Sequence, residues 1–158
     1  MVKLTLQIRA ALENIKNLSL PTSAEWHFKT ECGNCHEMSP NTIFFVPDQI
    51  QDMTGSKGTC NYMAKCKGCE RTGSIEFVQK SAKSYSASEQ WGDLAPFDCR
   101  GLEPVQFFPG DHFIAEGIES ETMFGRDFSE EAIELMDNMW AGYDEAADES
   151  VSIMDFES

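Results

Sequence analysis

Along the first dozen residues apolar and polar positions alternate without interruption. Val2, Leu4, Leu6, Ile8, Ala10 and Leu12 fall on one side, and Lys3, Thr5, Gln7 and Arg9 on the other. A period of two belongs to an extended chain with one buried face, so the pattern predicts a β-strand over residues 2–12. A second alternating run, Trp26, Phe28, Thr30, leads into Cys32, and "IFFV" at 43–46 predicts a strand that Pro47 ends. "QDMTGSKGT" reads as a turn, residues 60–65 as a strand, and "SIEFVQK" as another. The polar, Ser- and Ala-rich stretch 81–96 shows no period and reads as a connection.

Beyond it the pattern predicts a strand over 97–108, a turn at 109–111 and a short strand over 151–156. "AEGIESETMFG" is too rich in Gly and Glu to be expected in the core. "DFSEEAIELMDNMW" fits two elements. Asp127 with Glu130 three residues on is a helix-capping pattern, while "AIEL" alternates as a strand does.

Two internal similarities organise these elements. Shifting residues 28–44 by 34 positions lays "FKTECGNCHEMSPNTIF" over "YMAKCKGCERTGSIEFV", a strand, a tight turn and a strand in each case. A weaker likeness joins "IRAALENI" to "CRGLEPV" with one residue deleted, which suggests pseudo-symmetric halves. The expected fold is all-β: a mostly antiparallel, sandwich-like arrangement of two pseudo-repeated halves. It is read as a single domain over 1–158, with halves of about 1–80 and 97–158 joined by 81–96. A chain of 158 residues buries roughly 70% of its unfolded surface, enough for a core without covalent help.

The repeat carries the chemistry. Cys32-x2-Cys35 and Cys66-x2-Cys69 are separated by thirty residues. Two residues between cysteines let one tight turn aim both sulfurs at a point, and two such turns facing each other make a tetrahedral S4 cage, which zinc accepts without strain. Gly33-Asn34 and Lys67-Gly68 fill the turns, small polar pairs of the kind that tolerate a positive φ. A thioredoxin-type redox pair occurs once, ahead of a helix, and neither pair here precedes a helical pattern. An iron–sulfur cluster also uses four cysteines, but the paired knuckles favour zinc. Four thiolates close the coordination sphere, so one Zn2+ in this cage is expected to be structural.

Such a centre carries a formal charge of −2, which Lys29, Lys65, Lys67 and Arg71 can offset or leave to solvent. His36 follows the first pair and reads as a turn residue, since His accepts the left-handed conformation. Cys60 and Cys99 lie on predicted strands and are expected as buried reduced thiols. His27 and His112 have no partner pattern.

The net charge of −15 is uneven. Residues 1–85 hold 10 Lys and Arg against 8 Asp and Glu, whereas residues 86–158 hold 2 against 19. That balance argues against nucleic acid, whose binding draws on cations, and leaves a solvated acidic surface or a basic protein partner. No apolar run approaches the about 20 residues that cross a bilayer. The beginning "MVKLTLQIRAALENI" lacks the apolar block of a secretory signal, so a cytoplasmic monomer that binds no membrane is expected. No catalytic motif emerges: Glu116, Glu119 and Glu121 are abundant carboxylates without a pairing, and no enzyme activity is expected.

The order "LQIRAALENI", "CGNC", "CKGC", "CRGLEPV", "AEGIES" and "YDEAADESVSI" resembles the eukaryotic CXXC-motif-containing zinc-binding protein family over nearly the whole chain. The resemblance implies an antiparallel β fold of two related halves and one zinc on Cys32, Cys35, Cys66 and Cys69, with no established activity. Trp140, Tyr143, Asp144, Glu145, Ser150 and Val151 match a C-terminal signature that reads as an aromatic anchor before an edge strand. The chain departs from the pattern at His36, where relatives often have Gly, and in a longer stretch before Trp140. The expected role is a zinc-stabilised protein-interaction module. The competing expectation is a metal-handling or thiol-redox protein that exchanges metal or disulfide with a partner.

Overall fold

A computed structural model describes residues 2–53, 58–128 and 131–158. The strands are β1 (Val2–Glu13), β2 (Ile15–Ser19), β3 (Trp26–Cys32), β4 (Ile43–Phe45), β5 (Gln51–Asp52), β6 (Thr59–Cys60) and β7 (Tyr62–Lys65). After them come β8 (Thr72–Phe77), β9 (Gly92–Arg100), β10 (Leu102–Phe108), β11 (Ile114–Gly117), β12 (Met123–Phe124), β13 (Trp140–Asp144) and β14 (Glu149–Glu157). No helix occurs among the described residues, and the pairings β1–β14, β3–β10, β11–β12, β2–β11, β13–β14, β3–β4, β5–β6, β7–β8 and β8–β9 are antiparallel.

The chain forms two compact units that interleave along the sequence. The first comprises Met1–Leu6, Thr22–Ala82 and Ala95–Phe108; the second comprises Gln7–Pro21, Lys83–Leu94 and Pro109–Ser158. In the first unit β8 lies between β7 and β9, and β3 lies between β10 and β4. In the second, β14 lies between β13 and β1, and β11 lies between β2 and β12. The pairing patterns correspond, β9, β10, β3, β4, β7 and β8 matching β1, β2, β11, β12, β13 and β14, but the corner strands come last in the first unit and first in the second.

Each unit has a corner where a strand leaves one sheet for the other. Gly101, at φ 69°, separates β9 from β10, and Asn14, at φ 58°, separates β1 from β2. Both are residue types that accept the left-handed region. The single strand expected over 97–108 is therefore two strands, the first beginning at Gly92. The weaker sequence likeness also shifts: the letters align Leu12 with Leu102, whereas the corners align Ile15 with Leu102.

The core of the first unit is aromatic. β3 buries Trp26, Phe28, Thr30 and Cys32 at every second position, as the alternation predicts. Phe97 stands edge-on to Trp26, Phe28 and Phe45 at centroid distances of 5.7–6.0 Å, and Phe28 stacks on Phe45 at 5.5 Å. Such geometries add to the stabilisation that burying the rings provides.

The expected strand 60–65 is broken at Asn61, a buried residue whose side chain serves three backbone groups. Its Nδ2 donates to the carbonyls of Pro47 (2.9 Å) and Gln49 (2.8 Å), and its Oδ1 accepts from the Phe77 amide at 2.6 Å. Asn61→Ala leaves the buried Phe77 amide unpaired and strips one donor each from the Pro47 and Gln49 carbonyls, the former keeping Gln79, and should cost about 2–3 kcal/mol. The urea midpoint should fall with an unchanged slope.

In the second unit, residues expected to be a simple connection carry structure. Tyr85 is buried, its hydroxyl accepts from the Ala10 amide at 3.1 Å, and its backbone exchanges hydrogen bonds with Leu18. The "AEGIESETMFG" stretch, expected outside the core, contributes buried Ala115 and Phe124 through β11 and β12. Composition misled there because one face of a short strand buries only every second residue. Between Asp127 and Met139 neither a helix nor a strand forms among the described residues: Ile133 and Leu135 are both fully buried, and Ile133 makes one isolated bridge to Phe113. Glu130, the second half of the capping pattern, lies outside the described residues, as do residues 54–57 of the expected turn.

Candidate metal centre

Backbone hydrogen bonds define both CxxC turns before any metal is considered. In the first, the Cys32 amide donates to the Glu37 carbonyl and the His36 amide to the Cys32 carbonyl, each at 2.9 Å. In the second, the Cys66 amide donates to the Arg71 carbonyl at 2.9 Å and the Glu70 amide to the Cys66 carbonyl at 2.8 Å. The positive φ each turn requires falls on the residue after the second cysteine, His36 (63°) and Glu70 (62°). It does not fall on Gly33-Asn34 or Lys67-Gly68, whereas His36 takes the left-handed conformation expected of it as a turn residue. His36 is thus a turn residue, exposed and 4.0 Å from Glu31.

Gly33 serves a different end. Its amide donates to the Gly101 carbonyl at 3.0 Å, and a Cβ there would stand 3.4 Å from the Gly101 backbone. The first knuckle is thereby seated on the β9–β10 corner.

All four sulfurs lie within 4.8 Å of one another. Across the knuckles, Cys32 and Cys69 are 3.6 Å apart and Cys35 and Cys66 are 3.5 Å apart. Four sulfurs about 2.3 Å from a tetrahedral zinc stand about 3.8 Å from each other, so the cage fits that ion. None of the cysteines is in a disulfide.

The amides of Cys35 and Asn34 lower the Cys32 thiol, and the Arg71 amide with the Asn34 side chain lowers Cys69 to about 6. Backbone donors aimed at sulfur favour the thiolate, the form that binds metal. At Cys35 the Glu37 amide acts in the same sense, but the hydrogen bond shared with Cys66 and burial prevail and push it up to about 12. Glu37 brings a carboxylate oxygen to 3.7 Å from Cys66 Sγ.

The other sequence candidates stand apart from this cluster. Cys60 and Cys99 are buried free thiols, with Cys99 pushed up to about 12 by burial. His27 lies 3.4 Å from Glu25, and His112 lies 3.6 Å from Asp111. Lys29 occupies the β3 face opposite Cys32.

The second unit contains the same pair of turns without the cysteines. After β11 the Gly117 amide donates to the Thr122 carbonyl at 2.8 Å and the Glu121 amide to the Gly117 carbonyl at 3.1 Å, with Glu121 at φ 59°. After β13, Asp144 pairs with Glu149, and Asp148 takes φ 53°. By turn position, Gly117, Ser120, Asp144 and Ala147 stand where Cys32, Cys35, Cys66 and Cys69 stand in the first unit.

A hydrogen-bonded clasp joins these two turns. Ser120 Oγ donates to Asp144 Oδ2 and shares a 2.8 Å hydrogen bond with Thr122. Asp144 Oδ1 accepts from the amides of Ala146 (3.1 Å) and Ala147 (3.2 Å). The Ser120 hydroxyl, with these amides, holds the Asp144 carboxyl below its usual range. Gly117 must be glycine here, since a Cβ would meet Asp144 Oδ2 at 2.6 Å.

Sequence reading missed this clasp. The visible signal was the aspartate of "YDE", whose turn matches the cysteine turns in hydrogen bonding but not in letters.

The profile of the family described as CXXC motif containing zinc binding protein, eukaryotic, matches residues 5–158. A Bos taurus protein named CXXC motif containing zinc binding protein is 40% identical over 97% of this chain and 94% of its own length. The Homo sapiens protein of that name is also 40% identical, over the same shares. The crystal structure of C1orf123 superposes with a TM-score of 0.89 at 38% identity, covering 99% of this chain and 96% of that one. A hypothetical protein from Plasmodium falciparum superposes with a TM-score of 0.85 at 29% identity, over 99% and 97%.

Proposed function

The chain belongs to the eukaryotic family of CXXC-motif-containing zinc-binding proteins, and on that footing we propose that Cys32, Cys35, Cys66 and Cys69 hold one structural zinc in a protein-interaction module. The observation that carries the zinc assignment is the cage itself, four sulfurs from two hydrogen-bonded knuckles spaced as a tetrahedral ion requires. With four protein ligands the ion offers no open position for water. Its contribution is to tie the β3–β4 and β7–β8 hairpins together.

The interaction is assigned to a basic protein partner on the acidic segment 115–149. That segment carries twelve Asp and Glu against one Arg. Ile118, Phe128, Met136, Met139 and Tyr143 are large apolar side chains about half exposed among those charges. Apolar anchors rimmed by one sign of charge suit a partner of the opposite sign. This reading gives the protein no reaction of its own. No described helix is long and apolar enough to cross a membrane.

A pull-down with zinc-loaded protein, intact or with the exposed acids of 115–149 exchanged for Gln and Asn, tests the assignment. Partners should be lost from the neutralised form and from intact protein in high salt. An unchanged set of partners would remove the acidic segment from the function.

A further inference from the structure

Within the first unit, beside the knuckles, a cavity of about 440 Å³ opens between the β7–β8 hairpin and β3. That volume falls in the range of small-molecule sites, roughly 300–1,000 Å³. Its apolar walls come from Ile43, Tyr62, Ala64 and Leu102. Its cations are Lys65, Lys67 and Arg71, and none of these three side chains forms an ion pair or donates to a cysteine sulfur among the described residues. Glu37 lines the same space, with a carboxylate oxygen 3.7 Å from Cys66 Sγ.

Two further polar groups line it. Thr30 is 3% exposed, and neither its hydroxyl nor that of half-buried Tyr62 has a hydrogen-bond partner among the described residues. A ligand that enters the cavity can supply the partner for each hydroxyl.

We propose that this cavity is a binding site for a small organic anion, an apolar body carrying one carboxylate. The body contacts Ile43, Tyr62, Ala64 and Leu102. The carboxylate takes the free charge of Lys65, Lys67 and Arg71, Arg71 offering a fork that matches its two oxygens. The competing use of these cations is to offset the charge of the zinc tetrathiolate, since Cys32 and Cys66 border the same space. That use requires neither an apolar wall nor an unpartnered hydroxyl.

Naphthoate, titrated into the zinc-loaded full chain and followed by amide NMR shifts, provides the test. Saturable shifts confined to residues around Thr30, Met38–Asn41 and Tyr62–Arg71 are expected. The double substitution Lys67→Glu, Arg71→Glu should weaken binding roughly tenfold, as should replacing naphthoate by neutral naphthalenemethanol. Ala64→Phe fills the cavity without touching charge and should abolish the shifts, with zinc content of each variant measured alongside.

Absence of saturable shifts at millimolar naphthoate, or shifts centred elsewhere, overturns the proposal. So does equal affinity for naphthalenemethanol or for inorganic phosphate. Loss of zinc from the charge-reversed protein, with no naphthoate binding to the unaltered one, assigns the cations to the cluster instead.

Discussion

Stripping zinc with a strong chelator, or replacing Cys66 by Ser, should lower the melting temperature by roughly 20 °C. The expectation rests on the two hairpins, which share the Gly101 corner but pair no strands with each other among the described residues. β7 pairs only with β8 and β4 only with β3 among the described strands, and both knuckle turns are largely exposed. Each turn closes on its own backbone hydrogen bonds, so a metal-free chain keeps the turns and loses the clamp. Amide exchange should then rise over 22–82 and 95–108 while residues 109–158 keep their protection. A chelated protein that melts unchanged, and passes its zinc readily to a competitor, would sink the structural assignment and favour the metal-handling alternative.

Asp144→Ala should be the most damaging single change in the second unit, lowering the melting temperature on the order of 10 °C. The side chain is fully buried and receives the Ser120 hydroxyl and two backbone amides. Alanine would leave the two amides facing a void and the Ser120 hydroxyl with Thr122 alone. Asp144→Asn keeps one oxygen for the amides and should cost less.

The sign of the pH effect follows from the direction of the shift. The carboxyl is held below its ordinary 3.8 in the folded chain, so its contribution is complete above that range and disappears as the pH falls through the folded value. Asp144→Asn should therefore lose less stability than the unaltered protein in the same acid titration. Identical acid curves for the two proteins would remove Asp144 from the clasp.

The zinc cage was legible because thiols at fixed spacing have few other uses, and β3 was legible because its alternation is unbroken from Trp26 to Cys32. Where the reading failed, the deciding interactions were distant in sequence. Asn61 looks like one polar residue inside a strand until Pro47, Gln49 and Phe77 arrive to use it. Tyr85 sits in a polar stretch, and only Ala10 and Leu18 explain its burial.

The strand 97–108 looked continuous because one glycine in a sequence does not announce a change of sheet. Its role appears once Gly33 and Gly73 are seen to crowd against Gly101, with the Gly101 and Gly73 Cα regions in near contact. The Ser120–Asp144 clasp was hidden for another reason: its likeness to the cysteine knuckles resides in φ angles and amide partners, and identical backbones can be written in different letters.

Those four matching turns bear on ancestry. A hairpin end whose shape is set by its own amides does not depend on what its side chains hold, so two copies of one hairpin pair are free to diverge there without losing the turn. On the proposed role one copy hangs on an ion the cell must supply, the other on a hydroxyl and a carboxylate that come with the chain. If the proposed structural zinc is what holds the first unit, that unit's integrity follows zinc availability, and in a zinc-starved cell it would be the part offered to proteases while the second persisted.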